Sequence, residues 1–380
     1  MAQDTRFRVR YRLLADDARD AEQRAKGIAL EQTVEIPGDI VPAGYIAEEI
    51  LGQVEEITAV GGKAYEVVVS YSPDSAGSEV IQLINVIFGN SSIQQNIRVI
   101  GFDPGPVIRE RFAGARFGIA GLRARTGRTR GGLISPVIKP QGSTVKQLAD
   151  IARRCALGGA DIVKDDHGLA NQAFAPFEER VRAVSDAVGE ANAQTGGSSL
   201  YFVNVTGYSG SPVEEAFRAK EAGAGGVLLM PGLMGFGVVQ ALARDPAFDL
   251  PIMTHPSFTG AFVLTPETGL SHALMYGVLQ RLAGSDISVF PNVGGRFGFS
   301  AEECRSIAEA CRADDGIGRA MMPSPGGGMS VERAGDMVAM YGEDVVFLLG
   351  GSLLRAGDAM ADAVRAMRDA VDSAGDTAGG

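Results

Sequence analysis

Tryptophan is absent from the chain, and cysteine and histidine occur only three times each in 380 residues. The missing tryptophan excludes nothing by itself. The cysteines, Cys155, Cys304 and Cys311, have no metal-binding spacing, and an odd, sparse set fits the reducing cytosol, so a cytoplasmic protein is expected. No apolar run reaches the about 18 residues that a membrane-spanning helix needs. The first residues, MAQDTRFRVRYRLL, lack the apolar core of a signal peptide. Positive charge is also short: 35 Lys and Arg face 46 Asp and Glu, a net charge of −11. That balance argues against nucleic acid or an anionic membrane as the main partner. The one dense basic stretch, GLRARTGRTRGG, carries Arg123, Arg125, Arg128 and Arg130 and reads as a solvated linker.

An apolar content of 45% supports a sizeable core, and the length predicts one large and one smaller domain. In the first hundred or so residues FRVRYRLLA, AYEVVVSYS and IRVIGFDP read as strands, and DDARDAEQRAKGIAL and SEVIQLINVIFG as helices. The order suggests a small ferredoxin-like α+β domain, an open sheet with helices on one face, over residues 1–125. From Leu133 the rhythm changes to eight short apolar strands, LISPVIKP, ADIVKDD, LYFVNVT, GGVLLM, LPIMTH, ISVFPN, RAMMPSP and VVFLLGG, with helical segments between them. Eight such units predict a (β/α)8 barrel over residues 126–370. A doubly wound open sheet is the alternative. Residues 371–380 are expected to be a disordered tail.

Barrel enzymes carry their chemistry at the C-terminal ends of the strands. Those ends hold Lys139, then Lys164, Asp166 and His167, then Asn204 and Thr206, His255, Asn292, Ser324, and Gly350 with Gly351. Alternation along the second strand puts Lys164 and Asp166 on one face and Asp165 on the other. A carboxylate and an imidazole at one strand end can bind a divalent metal, and Lys164 could add CO2 to give a carbamate oxygen as a further ligand. A local Lys–Asp ion pair beside a solvated His167 explains the same residues. Lys139 could polarise a carbonyl, move a proton or form a Schiff base, or simply reach the rim. The glycines of PSPGGGMS and FLLGGSLL close the last two strands, where barrels often bind phosphate through backbone N–H groups, although turn chemistry alone accounts for them too. NVGGRFGFS reads as a mobile loop carrying one cation, Arg296, over the mouth. His255 suits a catalytic or a packing role, and His272 reads as structural.

Together these residues resemble the RuBisCO large subunit, and more closely the RuBisCO-like (form IV) proteins, over nearly the whole chain. GGADIVKDDHG is similar to the family's strand-two motif, in which the lysine is carbamylated and acidic residues bind magnesium. The resemblance implies Lys164, Asp166 and His167 as metal ligands and, through VIKP, Lys139 as a catalytic lysine. His255 falls at the strand-five histidine, and Ser324, Gly326, Gly327, Gly350 and Gly351 fall on the phosphate loops. IFGN and IALEQ place Asn90 and Glu31 as N-terminal residues that reach the neighbouring subunit's site, which implies a homodimer with shared sites.

The sequence also departs from the family. His167 replaces the third carboxylate, Gln141 a second strand-one lysine, Pro256 a phosphate-binding arginine, Val289 a histidine, and Arg296 the mobile-loop lysine. The site has lost one negative charge and several contacts to a second phosphate. The resemblance therefore implies a metal-stabilised enediolate formed from a phosphorylated keto-sugar or β-keto sugar acid, without net carboxylation of ribulose bisphosphate. Decarboxylation is the first expectation, because Asn90 stands where the family's methionine-salvage enolases have a lysine base, and an amide cannot abstract a proton. Enolisation or isomerisation of a methylthioribulose-type phosphate is the alternative. A metal-free Schiff-base barrel and a non-catalytic barrel that binds a phosphorylated metabolite are the remaining readings.

Overall fold

The computed structural model describes residues 5–351 and 353–378. Strand β1 (Phe7–Leu14) buries Phe7, Val9, Tyr11 and Leu13 completely and turns its arginines outward. Period-two alternation of this kind needs one covered face, and the helices Ala18–Glu31 and Val80–Phe88 supply buried residues of the same core. Strands β2 (Gln53–Gly61), β3 (Ala64–Tyr71) and β4 (Ile97–Asp103) complete the N-terminal domain, with β1 antiparallel to both β3 and β4. The three strands and two helices read from the sequence are all present. Strand β2 is additional. It is an edge strand with no buried alternation, and Gly61 and Gly62, with φ of 117° and 58°, turn it into β3.

The barrel strands are β5 (Leu133–Ile138), β6 (Ile162–Asp165), β7 (Leu200–Asn204), β8 (Gly226–Leu229) and β9 (Ile252–Thr254). A two-residue strand, β10 (Gly269–Leu270), then leaves the barrel to pair in parallel with β4, giving the N-terminal sheet the order β10-β4-β1-β3-β2. Strands β11 (Ile287–Pro291), β12 (Met322–Gly326) and β13 (Val346–Leu349) return and close the barrel in the order β11-β12-β13-β5-β6-β7-β8-β9. The eight apolar runs are thus the eight barrel strands, and the fold is a (β/α)8 barrel with a smaller N-terminal α+β domain. Leu133, Ile162, Phe202, Leu228, Met253, Ile287, Met322 and Val346 fill the lower barrel. Gly226 makes room there: a Cβ on it would lie 2.5 Å from the Phe202 ring.

Two expectations are corrected. The basic stretch is not a solvated linker. Helix Gly118–Thr126 puts Leu122 into the barrel's apolar cluster, so a segment placed in the N-terminal domain is part of the barrel floor. Asp286 accepts from the backbone N–H groups of Phe117 (2.9 Å) and Gly118 (2.7 Å) at its start. Arg123 pairs with Asp344 at 2.7 Å, Arg125 lies over the Phe117 ring and pairs with Asp249, and Arg128 pairs with Asp372. Nor is the chain irregular from residue 371: helix Met360–Ala378 continues through it, with Val371 buried and Asp372 holding Arg128 and Arg368. Small and acidic residues hid a helix that tertiary ion pairs anchor. Residues 379–380 of that tail lie outside the described residues. Among the described residues, no helix is long and apolar enough to cross a membrane.

Candidate active site at the barrel mouth

Lys164 is 1% exposed, in register with Val137 of β5 and Phe202 of β7. Alternation puts it inside the barrel and sends Asp165 outward to the helix layer, where it meets Arg180. The Lys164 ammonium donates to the Asp165 carbonyl at 2.8 Å. Burial pushes its pKa down to about 8; Asp166 and Asp165 oppose the shift and Lys139 adds to it. Lys139, just past β5, lies with Nζ 3.7 Å from Asp166 Oδ1. Burial alone would raise the Asp166 carboxyl. The hydrogen bond and charge of His167, with the two lysines, outweigh burial and hold it well below the usual carboxylate range.

His167 and His255 are stacked, with ring centroids 4.3 Å apart and planes 17° from parallel. Their strands β6 and β9 are separated by β7 and β8 in the barrel, so the contact spans the mouth. The His255 backbone N–H donates to the Leu229 carbonyl at 2.8 Å, which fixes it to β8. Its Nδ1 accepts from the Ser257 N–H at 3.3 Å and faces the Ser257 hydroxyl at 2.9 Å. A neutral ring with an accepting Nδ1 carries its proton on Nε2. Burial, with Lys164 and His167 nearby, pushes the His255 pKa well below its ordinary value despite Asp166, so the ring is neutral at neutral pH.

The loops after β11 and β12 pack together. The Asn292 side chain donates to the Gly327 carbonyl at 3.1 Å and accepts from the Tyr341 hydroxyl at 2.6 Å. Gly327 has φ 96°, a conformation that leaves its backbone free of a side chain's bulk. A Cβ on Gly350 or Gly351 would meet nothing within 4 Å, so those peptides are open to an approaching group. Ser324 is different: it is fully buried and its hydroxyl donates to the Val346 carbonyl at 2.9 Å, bracing β12 against β13. Arg296 lies in the exposed loop after β11 with its guanidinium 5.6 Å from the Phe297 ring.

Glu31 and Asn90 come together outside the barrel, with the Asn90 amide donating to Glu31 at 3.4 Å. Gln32 holds both segments: it donates to the Asn85 and Val86 carbonyls at 2.8 Å and accepts from the Ser91 N–H at 2.9 Å. Among the described residues, no hydrogen bond or ion pair joins Glu31 or Asn90 to the mouth of their own barrel. His272 is buried, as its helical position suggested, and pairs with Glu303 at 3.4 Å. The residues that sequence reasoning missed are Ser257, which sets the His255 tautomer, and Arg180; the one visible signal was an arginine on the apolar face of Phe177–Thr195.

The unmodified side chains do not amount to a metal site. Among the described residues, no group of three or more His, Cys, Asp or Glu is placed to hold an ion. Asp166 and His167 offer two donors, and a Lys164 ammonium repels a cation. Carbamylation would replace that charge with an oxygen donor and make the set of three that a divalent ion accepts. A lysine with a pKa near 8 has the neutral amine fraction this reaction needs.

Residues 118–297 match the catalytic domain of the ribulose bisphosphate carboxylase large chain. Ribulose bisphosphate carboxylase-like protein 1 of Rhodopseudomonas palustris is 39% identical over 95% of this chain and 96% of its own. A 5-methylthioribulose-1-phosphate isomerase of Rhodospirillum rubrum is 40% identical over 94% of each chain. A 2,3-diketo-5-methylthiopentyl-1-phosphate enolase of Bacillus pumilus is 31% identical over 88% of this chain and 83% of its own. Among solved structures, a RuBisCO-like protein of Alicyclobacillus acidocaldarius superposes with a TM-score of 0.90 at 30% identity, over 99% of this chain and 95% of that one. Fold and mouth are those of a (β/α)8-barrel enzyme with its polar groups at the strand ends. Within that class, the chain belongs to the RuBisCO large-chain family, as one of its RuBisCO-like enzymes.

Proposed function

We propose that this enzyme isomerises a phosphorylated methylthio-keto-sugar through an enediolate. The observation that carries the reading is the opposition across the mouth: Lys139, Lys164 and Asp166 on β5 and β6, and the neutral His255 on β9. Isomerisation takes a proton from a carbon beside a carbonyl, leaves the electron pair on the carbonyl oxygen, and returns a proton to a different carbon. Lys139, at the rim and partly exposed, moves the proton. The His255 Nε2–H donates to the oxygen that gains charge, as a neutral imidazole does well. A divalent cation held by a Lys164 carbamate with Asp166 and His167, magnesium or another ion, would supply Lewis acidity to two vicinal oxygens. The N–H groups of Gly326, Gly327, Gly350 and Gly351 suit one phosphate. Arg296 covers the bound substrate. In a two-fold dimer, Glu31 and Asn90 complete the partner's mouth.

Isomerase or enolase chemistry is favoured here over the decarboxylation expected from Asn90. Support comes from the name of the Rhodospirillum rubrum relative and from a proton-moving group, Lys139, already present in the same barrel. The test is to incubate the protein with divalent cation, bicarbonate and 5-methylthioribulose 1-phosphate and to follow phosphorus resonances. A new sugar phosphate supports the reading. An unchanged spectrum, with turnover of a β-keto sugar-acid phosphate instead, replaces it with decarboxylation.

A further inference from the structure

Behind the mouth, a buried network holds the segment that carries Asp166 and His167. Asp165 and Arg180 are both 0% exposed. The Asp165 carboxylate accepts from Arg180 Nε at 3.3 Å, from the Tyr201 hydroxyl at 2.8 Å and from the Asn204 backbone N–H at 3.0 Å. Four successive carbonyls past the end of β6 each accept from a side chain. His167 and Leu169 accept from the Asn204 amide at 3.1 and 2.6 Å. Gly168 accepts from Gln172 at 2.8 Å and Gln141 at 3.1 Å. Ala170 accepts from Arg180, which also donates to Ala175 at 3.1 Å. The segment forms no helix and extends no strand, so these side chains set its course.

Stability alone does not account for the arrangement. A buried guanidinium–carboxylate pair is costly to desolvate, and well-packed apolar residues in its place are often neutral or more stable. We propose that Arg180, with Asp165 and Asn204, is a positioning residue. It acts through residues 166–170 to hold the Asp166 carboxylate and the His167 ring over the mouth. The inference rests on reading the mouth as the active site, and the Arg180 fork is what a lysine cannot reproduce: one guanidinium ties the strand end, through Asp165, to the loop carbonyls.

The experiment compares wild type with Arg180→Met, Arg180→Lys and Asn204→Ala, by hydrogen exchange of residues 166–170 and by steady-state kinetics on 5-methylthioribulose 1-phosphate. We expect exchange in that segment to rise about tenfold in Arg180→Met while the barrel strands keep their protection. kcat should fall about 100-fold, the scale of a slight misplacement of reacting groups, with KM nearly constant. Arg180→Lys should fall between wild type and Met, whereas a pure packing role would make Met the better replacement. If Arg180→Met does not fold, Asn204→Ala, which strands no charge, should show the same pairing of faster local exchange and lower kcat. Unchanged exchange, or a loosened segment with wild-type kcat, overturns the inference. A wild-type chain that ignores this substrate defeats the proposed reaction alone, and the exchange readings then decide the positioning role.

Discussion

His167 lies face to face with His255 across two intervening strands. One ring stands beside the Asp166 carboxylate and the other is held by Ser257, so the stack joins the Asp166 side of the mouth to the β9 side. Replacing His255 by Phe removes the Nε2–H and keeps a flat ring against His167. Activity should fall about 10²–10³-fold, the range for losing a positioned donor, with folding intact. Wild-type kcat in His255→Phe would show that Nε2–H does not serve the reaction.

The proposed cation site has few donors. Manganese plus bicarbonate should raise the thermal stability of the wild type, and Asp166→Asn should abolish both that increment and activity. Full activity in excess chelator, with metal content shown to be nil, would contradict the cation's role.

Dimer complementation is the third expectation. Asn90→Ala and Lys164→Ala chains, each inactive alone, should regain activity when unfolded and refolded together, because a mixed dimer keeps one intact mouth. Sedimentation of a fully active monomer would refute shared sites.

Barrel packing yields a fourth. A methyl group on Gly226 has no room beside Phe202. Gly226→Ala should cost about 1–3 kcal/mol of unfolding free energy, and Phe202→Leu in the same chain should recover part of it. Denaturant midpoints measure both.

Asp286, buried under the barrel floor, has its pKa raised by burial from 3.8 to about 6, although it accepts from the backbone of Ile252, Gly118 and Phe117. Relative to the unfolded chain, folding therefore favours its protonated form, although the carboxylate predominates above about pH 6. The stability this contributes is complete below pH 4 and is lost as pH rises through about 6, an effect of about 3 kcal/mol. Asp286→Asn should lose that slope: relative to wild type, the variant gains stability between pH 4 and pH 7. Parallel stability curves for the two proteins would contradict it.

The sequence made visible what local pattern encodes. The barrel strands announced themselves as short apolar runs, and Lys164 stood out as a cation inside one of them. Strand β2 escaped because an edge strand exposed on both faces has no alternation, and β10 because two residues pairing with a distant sheet leave no local trace. Lys139, Lys164, Asp166, His167 and His255 were placed at strand ends, but their meeting across the mouth depends on barrel closure. Ser324 looked like a mouth residue because it sits near a strand end; its hydroxyl is spent on Val346. Arg123 and Arg128 read as solvated because their acidic partners lie more than 200 residues away.

Proton transfer at carbon, with Lys139 moving the proton, is the claim on which the account stands. Its most direct test is deuterium incorporation from D2O into 5-methylthioribulose 1-phosphate and its product, followed for wild type and Lys139→Met. Deuterium should appear at a carbon beside the carbonyl in wild type, and its incorporation should slow by about 10²–10⁴ in a folded Lys139→Met. Conversion without any deuterium, or wild-type incorporation in Lys139→Met, would contradict it.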